Sequence, residues 1–558
     1  VLVLVHVAFI AHIVHWKLAG RTLAPLELNE LMYTLEAGVI TAGFLFMLLV
    51  CLSVLVFGRF FCSWGCHVLA LQDLCSWTMT KLGVRPKVVR ARGLLWIPLA
   101  AMLYMFVWPQ LQFLFFDRAR PVLHVAGDES GWASFVTADY WRNLPPPGVA
   151  IATLGICGFA FVYLMGNRSF CKYACPYGAI FAVLDRFAPG RISRVGDCGA
   201  CGQCTAACTS DIRVHEELET YGQVVDSNCL KDLDCLNACP DAAIGFRFRK
   251  PAIFRDRSLE PPKPKARMFS RAEEWGMALG FIPIWLVLRG LYGLIPLLIS
   301  IALAGMLVYL GVVCLRLLRT ESVKLVRTQL KARGSWRPAG VLVIVLGGVA
   351  GALLVHSAAV RFQAWRAQRS VEALAGGLEL GAIESGISAW DFVGRHGLLE
   401  TPGRERGLGL LQSARGDRLA GSGRFEKAVG AYSAAVAHLP DSAPLRFNLA
   451  RLLSQVGRIE PALEHYRAAA ALAPEDAEVA NNLGFLLADL GLRVEAEAQL
   501  RRAIELQPSF AHPHFNLGRL LYEAGEVPQA MPLFERAAVL DPLYGEWLAE
   551  FRREIGGG

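Results

Sequence analysis

Charge is scarce in this sequence. Asp, Glu, Lys and Arg make up 19% of the 558 residues, against 54% apolar residues, which is little for a soluble protein of this size. The net charge of +8 is modest, and the basic residues cluster beside apolar runs. That pattern serves membrane orientation and excludes a nucleic-acid-binding reading. There is no Ser/His/Asp set, no phosphate-cradling glycine loop and no zinc-protease signature, so no catalytic residue is assigned. Cysteine is missing after Cys314, so the C-terminal region suits an oxidising compartment. The chain opens at Val1 inside an apolar run. A natural N-terminus upstream is expected, and no cleavable signal peptide is visible in the residues at hand.

Long hydrophobic runs, by contrast, are plentiful. A spanning helix needs about 20 mostly apolar residues. Seven runs qualify as expected spans: 1–16, 39–57, 94–116, 148–165, 276–293, 295–318 and 339–357. Arg289, Gly290, Gly293 and Pro296 interrupt 276–318, where two full spans are preferred over a re-entrant hairpin. Residues 58–93 carry Arg59, Lys81, Arg85, Lys87, Arg90 and Arg92 against Asp73. Residues 319–337 carry Arg319, Lys324, Arg327, Lys331, Arg333 and Arg337 against Glu321. Both segments are therefore expected in the cytoplasm. With seven spans, 166–275 is cytoplasmic, 17–38 and 117–147 are outside, and everything after about residue 358 is periplasmic. The chain then reads as a multi-pass protein of a bacterial inner membrane.

Eleven of the fifteen cysteines fall into four regular clusters. Cys198, Cys201, Cys204 and Cys208 form C-x2-C-x2-C-x3-C, the run of bacterial [4Fe–4S] ferredoxins. Cys229, Cys235 and Cys239, followed by Pro240, repeat it with one ligand missing, and Asp232 stands at the vacant place. Because the last cysteine of each run ligates the other cluster, Cys198, Cys201, Cys204 and Cys239 are expected to hold one cluster. Cys208, Cys229 and Cys235 would hold the second, its fourth corner ligated by Asp232 or left open as a [3Fe–4S] centre. Zinc fits two interleaved runs poorly. Thr209 follows Cys208 where ferredoxins usually have proline.

Two further pairs, Cys62/Cys66 and Cys171/Cys175, have C-x3-C spacing. Arg59-Phe60-Phe61-Cys62-Ser63-Trp64-Gly65-Cys66-His67 aligns with Arg168-Ser169-Phe170-Cys171-Lys172-Tyr173-Ala174-Cys175-Pro176. Each follows an apolar run, so a duplicated helical hairpin is expected. Packing alone leaves the duplication unexplained. Four converging thiolates suit a further iron–sulfur cluster, Cu(I) or zinc, and a redox disulfide is also open. His67 either adds a nitrogen ligand or caps the loop. In the first span, His6, His12 and His15 invite haem, quinol or copper binding, with interfacial hydrogen bonding as the plainer role. Cys51, Cys157 and Cys314 are read as packing residues.

With these residues in place, the chain resembles the membrane polyferredoxins of the NapH, NosR and CcoG types over about residues 30–250. The resemblance implies electron transfer between quinol or a cytoplasmic donor and an extracytoplasmic redox partner. Its alternative implication is copper reduction in the assembly of a respiratory oxidase. This chain departs from the pattern at His67, at Asp232 and in its C-terminal region. An assembly scaffold without redox turnover is the third reading.

The C-terminal region is periodic. Gly423, Gly457, Gly491 and Gly525 recur every 34 residues, as do Pro440, Pro474, Pro508 and Pro542, and Ala428, Ala462, Ala496 and Ala530. This resembles tetratricopeptide repeats, expected at 409–442, 443–476, 477–510 and 511–544 with a closing helix, forming a groove for a protein or peptide. The expected fold is mainly α, and its parts are five. Spans with the first C-x3-C loop occupy 1–165. The second loop and an α+β ferredoxin-like domain occupy 166–275, tethered by the proline-rich stretch 250–275. Further spans fill 276–357, linker helices 358–408, and the α-solenoid 409–558.

Overall fold

The computed structural model describes residues 2–24, 30–84, 86, 88–115, 119–125, 135–143, 146–255 and 267–556. Arg85 and Lys87 of the basic loop, Pro261, Pro262 and Pro264 of the tether, and the side chain of His6 lie outside the described residues. The chain divides into two units, Val1–His356 and Ser357–Gly558.

In the first unit each of the seven apolar runs is helical: Leu2–Ala19, Ala42–Phe57, Gly93–Phe115, Pro147–Met165, Arg271–Leu288, Leu297–Arg319 and Pro338–Glu372. Four of these helices, beginning at Gly93, Pro147, Leu297 and Pro338, are long and apolar enough to cross a membrane. At 1.5 Å per residue, the 19 to 23 residues of the first three rise about 28–34 Å, matching a hydrocarbon layer of about 30 Å, and the fourth, of 39 residues, is longer. Among the described residues, four of the seven expected spans have this length and composition. Ala42–Phe57 has 16 residues, the apolar part of the first helix is Val7–Ala19, and Arg271–Leu288 opens on Arg271, Glu273 and Glu274. Residues 276–318 form two helices, as preferred, joined at Gly290 and Gly293, both with positive φ. A wide π turn over Leu103–Val107 precedes Pro109. Proline has no N–H to give back to the preceding turn, and a widened turn absorbs that loss.

The connecting segments gather at two ends, separated by the roughly 34 Å rise of Gly93–Phe115. At one end Thr22–Leu23 pairs antiparallel with Val136–Thr137, and Val39 bridges His124. At the other end the Val89 N–H donates to the Met165 carbonyl (3.0 Å), and Arg90 holds Asp211 through both of its carboxylate oxygens. The cysteine-rich segment therefore lies at the end that carries residues 58–93. Here the basic stretch 319–337 is not an open loop. Val323–Leu325, Thr328–Ala332 and Ser335–Trp336 form a small antiparallel sheet.

The second unit holds the repeats as paired helices: Arg404–Gly421 with Phe425–His438, Ala443–Gln455 with Ile459–Leu472, Ala477–Asp489 with Arg493–Leu506, and Ala511–Glu523 with Val527–Leu540. Pro542–Gly556 closes the array, and Leu380–His396 precedes it. The first pair begins five residues earlier than the repeat period suggests. The period has a physical origin. Each recurring glycine ends a first helix with φ between 72° and 82°, a conformation that costs other residues about 1 kcal/mol or more. Each recurring alanine, Ala428 through Ala530, is fully buried where two helices cross.

Candidate functional site

The two C-x3-C loops have matching backbone from Phe60 and Ser169 onward. Before that, Gly58 stands one residue ahead of Arg59 and Gly166 two ahead of Arg168, and Arg168 is left-handed (φ 55°) where Arg59 is not (φ −72°). Each hairpin helix stops at a glycine of positive φ: Gly58 (77°), whose N–H donates to Val54, and Gly166 (100°), whose N–H donates to Val162. One helical turn follows, Phe60–Trp64 or Ser169–Tyr173. Gly65 and Cys66 then both donate to the Phe61 carbonyl, just as Ala174 and Cys175 both donate to that of Phe170. Cys66 and Cys175 cap the next helices in extended conformation, with ψ of 116° and 112°. His67 and Pro176 are the first residues of those helices. Proline is favourable there because its missing N–H would be unpaired anyway; His67 is exposed.

The loops meet. Cys62, Cys66, Cys171 and Cys175 belong to one apolar cluster with Phe61, Tyr177 and Phe181. Burial, then the nearby Cys62 sulfur, pushes the Cys66 thiol up to about 11. Burial, then Cys66 and Cys62, pushes Cys175 up to about 12. These two thiols resist ionising unless positive charge joins them, and thiolates are what a soft metal or cluster binds. Among the described residues no three His, Cys, Asp or Glu side chains are close enough to share one metal ion. A tetrahedral single-ion site with 2.3 Å metal–sulfur bonds needs sulfurs about 3.8 Å apart. Four soft thiolates suit an iron–sulfur cluster or Cu(I).

The ferredoxin-like segment repeats itself in the same way. Gly190–Arg194 and Ile244–Phe248 pair antiparallel over a core of Ile192, Cys204, Ile212, Leu218, Cys235 and Ile244. In the first loop Ala200 and Gly202 have positive φ (52° and 71°); in the second, Lys231 and Leu233 do (57° and 67°). Asp211 and Ala242, each three residues past the last cysteine of its run, match again at 59° and 47°. Thr205 donates to Gly202 and Leu236 to Leu233, both at 3.0 Å. Lysine and leucine accept a left-handed backbone only at a cost, so the second loop keeps the ligand geometry of the first, and Asp232 occupies the place of Cys201. Cys198 and Cys201 act on the Cys204 thiol, while Cys229, Asp232, Cys208 and Cys204 all act on that of Cys235. Burial pushes the Cys229 thiol up to about 12, with Lys231 opposing. The Asp232 carboxylate itself turns to Arg168 and to the Thr209 hydroxyl (2.9 Å).

The two cysteine sites are joined by residues that the sequence pattern did not single out. From the first C-x3-C loop, Arg59 Nη1 donates to the Ser227 carbonyl, Ser63 to that of Leu230, and Trp64 Nε1 to that of Lys231, each at 2.9 Å. Those carbonyls flank Cys229. Beneath them lies Asp185, fully buried, bound by Arg191 (2.9 Å), by Lys231 and by the Arg59 N–H (3.2 Å). Gly58 is needed here for space as well as for φ, because a Cβ would stand 2.5 Å from both Asp185 Oδ1 and Lys231 Nζ. The second loop's arginine, Arg168, grips Asp73 of the first hairpin at 3.1 and 3.2 Å as well as Asp232. Between the second loop and the ferredoxin-like segment is a cavity of about 20 Å³, room for one water, lined in part by Arg59, Cys171, Lys172, Ser210 and Asn228.

The first-span histidines lie apart from this site. His12 Nε2 and His15 Nδ1 share the Thr22 hydroxyl at 2.8 and 3.1 Å, and His12 packs edge-on against Tyr140. They fasten the helix to its own end loop. Cys51 and Cys157 pack in apolar clusters, and the Cys314 thiol lies 3.8 Å from the Val343 carbonyl.

Comparison with known proteins agrees with the motifs. Residues 39–86 and 149–194 match a 4Fe-4S binding domain, and 419–484 and 481–544 match tetratricopeptide repeats. The matched 4Fe-4S segments are the two C-x3-C hairpins, not the run from Cys198 to Cys239. Among similar proteins is YccM of Escherichia coli, provisionally named for electron transport, at 26% identity over 40% of this chain and 62% of its own length. Another is the methylamine utilization ferredoxin-type protein MauN of Methylobacillus flagellatus, at 29% over 30% and 52%. The ferredoxin-type protein NapH of Haemophilus influenzae is 22% identical over 34% and 63%. The chain spans 52–63% of the length of these relatives. It is a mainly helical membrane protein that combines 4Fe-4S binding segments with C-terminal tetratricopeptide repeats.

Proposed function

We propose that the protein is an electron carrier of the membrane with three adjoining thiolate sites. Cys198, Cys201, Cys204 and Cys239 form the first. Cys208, Cys229 and Cys235 form the second, with Asp232 at its fourth corner. Cys62, Cys66, Cys171 and Cys175 form the third, where the two hairpins meet. Iron–sulfur clusters bound there supply one-electron chemistry without proton transfer, which suits a site with no acid/base pair. The observation that carries this reading is the triple hydrogen bond from Arg59, Ser63 and Trp64 to the backbone around Cys229. It clamps the third site against the second, leaving between them a cavity of about 20 Å³, room for one water. The ferredoxin-type names of the relatives support the same assignment.

The basic loops support a cytoplasmic face for the cysteine sites. Electrons enter there, from quinol or a soluble donor, and leave toward an extracytoplasmic redox protein. The repeats, on the periplasmic side, bind that partner or an assembly peptide. The copper reading is the alternative, since four soft thiolates also suit Cu(I). The test is anaerobic purification with iron and acid-labile sulfide counted beside EPR of the reduced protein. Three interacting cluster signals are expected; iron absent from Cys62 and its partners while copper is present there would overturn the reading.

A further inference from the structure

Arg59 is 2% exposed, and a buried guanidinium is costly unless negative charge meets it. Its Nη1 spends one hydrogen bond on the Ser227 carbonyl. Its Nε has no hydrogen-bond acceptor among the described residues. The adjacent carboxylate, Asp185, takes only the backbone N–H of Arg59, and its oxygens are shared with Arg191 and Lys231. Three buried cations thus stand around one buried carboxylate. The guanidinium also meets sulfur: Arg59 and Cys171 line one cavity, and Cys62 and Cys171, one from each loop, act on it electrostatically ahead of Asp185. Gly178 keeps the space open, since a Cβ there would stand 2.6 Å from the Cys171 carbonyl and 3.4 Å from Arg59 Nη2. The matching arginine of the other loop is not in this position, for Arg168 is bound by Asp73 and Asp232.

We propose that Arg59 is the resident counter-charge of the paired-loop site, balancing the thiolates of Cys62 and Cys171 and setting how readily the group they hold accepts an electron. The inference rests on the reading that those four cysteines hold a cluster. A fixed positive charge stabilises the reduced form, so its removal makes reduction harder. Arg59 is a positioning residue in this sense: it acts through the ligands and touches no substrate.

The experiment is a redox titration, followed by EPR, of full-length protein purified without oxygen. Wild type, Arg59→Gln and Arg59→Lys are compared at equal iron content, and the paired-loop signal is identified as the one missing from Cys62→Ser. Arg59→Gln is expected to lower the one-electron reduction equilibrium of that signal at least tenfold, about 59 mV, while Arg59→Lys stays near wild type. If Arg59→Gln loads no cluster in the loops but Arg59→Lys does, the requirement for charge is supported. An unchanged potential in Arg59→Gln, or equal losses in the Gln and Lys variants, overturns the proposal while leaving the electron-carrier reading intact. If no wild-type signal disappears in Cys62→Ser, the cluster reading fails and takes this inference with it.

Discussion

The two C-x3-C loops share a fold and differ in the fate of one side chain. In the first, the arginine before the motif turns inward among the sulfurs and is sealed from solvent. In the second it turns outward to carboxylates on the first hairpin and the ferredoxin-like segment. The side chains part where the backbones do: Arg168 is left-handed (φ 55°) and Arg59 is not (φ −72°), while the cysteine turns that follow are alike. The duplicated frame supplies four thiols, and the divergent arginines supply, respectively, internal charge balance and a brace. The ferredoxin-like loops differ in one side chain too, Cys201 against Asp232. The tetratricopeptide repeats are the contrast, with equivalent turns in equivalent surroundings throughout.

The largest effect should follow from breaking the frame itself. Replacing Cys62 and Cys171 together by serine removes one thiol from each loop and is expected to cost about four iron atoms per chain, measured by metal analysis, with the Cys198 and Cys229 sites retained. Next, the inner and outer partners of the two arginines should differ sharply. Asp185→Asn leaves Arg191 and Lys231 buried without their carboxylate, and about 3–5 kcal/mol of destabilisation is expected. Asp73→Asn breaks a pair whose carboxylate is 34% exposed, worth about 1 kcal/mol or less. Thermal unfolding of detergent-solubilised protein checks both; equal effects would contradict the distinction.

Asp232→Cys makes the two ferredoxin-like loops equivalent. An all-thiolate second cluster is expected, seen as a gain of about one iron if the wild-type corner is open and as an altered EPR signal if it is not. Identical iron and spectra would show that residue 232 does not face the cluster. The smallest effect belongs to the repeats. Gly457→Ala and Gly491→Ala each force an alanine to φ above 70° and should each cost about 1 kcal/mol. The two costs should agree by denaturant titration of the repeat unit, because the turns are alike.

Much of this was legible in the sequence because it is periodic or short-range. The 34-residue period reported the repeat helices, since glycine turns and alanine crossings tolerate few substitutes. The three-residue offset from Cys229 placed Asp232 at the vacant corner, and Lys231 and Leu233 hold the backbone that this offset requires. The Arg59–Phe61–Cys62 alignment with Arg168–Phe170–Cys171 found the duplicated loop. What remained illegible joins distant residues once each. Asp185 meets Lys231 across 46 positions, and Trp64 meets the Lys231 carbonyl across 167, with no repeat to advertise either. The one available hint was Asp185 itself, a charged residue closing the apolar helix Pro176–Asp185. Four of the seven apolar runs are long and apolar enough by themselves to cross a membrane; apolar composition alone does not register a helix of 16 residues or an acidic first turn.

The most direct measurement is the iron and acid-labile sulfide content of anaerobically purified wild-type protein set against Cys62→Ser/Cys171→Ser. Three adjoining sites predict about 11–12 iron atoms per chain falling to about 7–8 in the double variant. A wild-type value already at about 7–8 and unchanged by the substitutions would contradict a cluster between the paired loops.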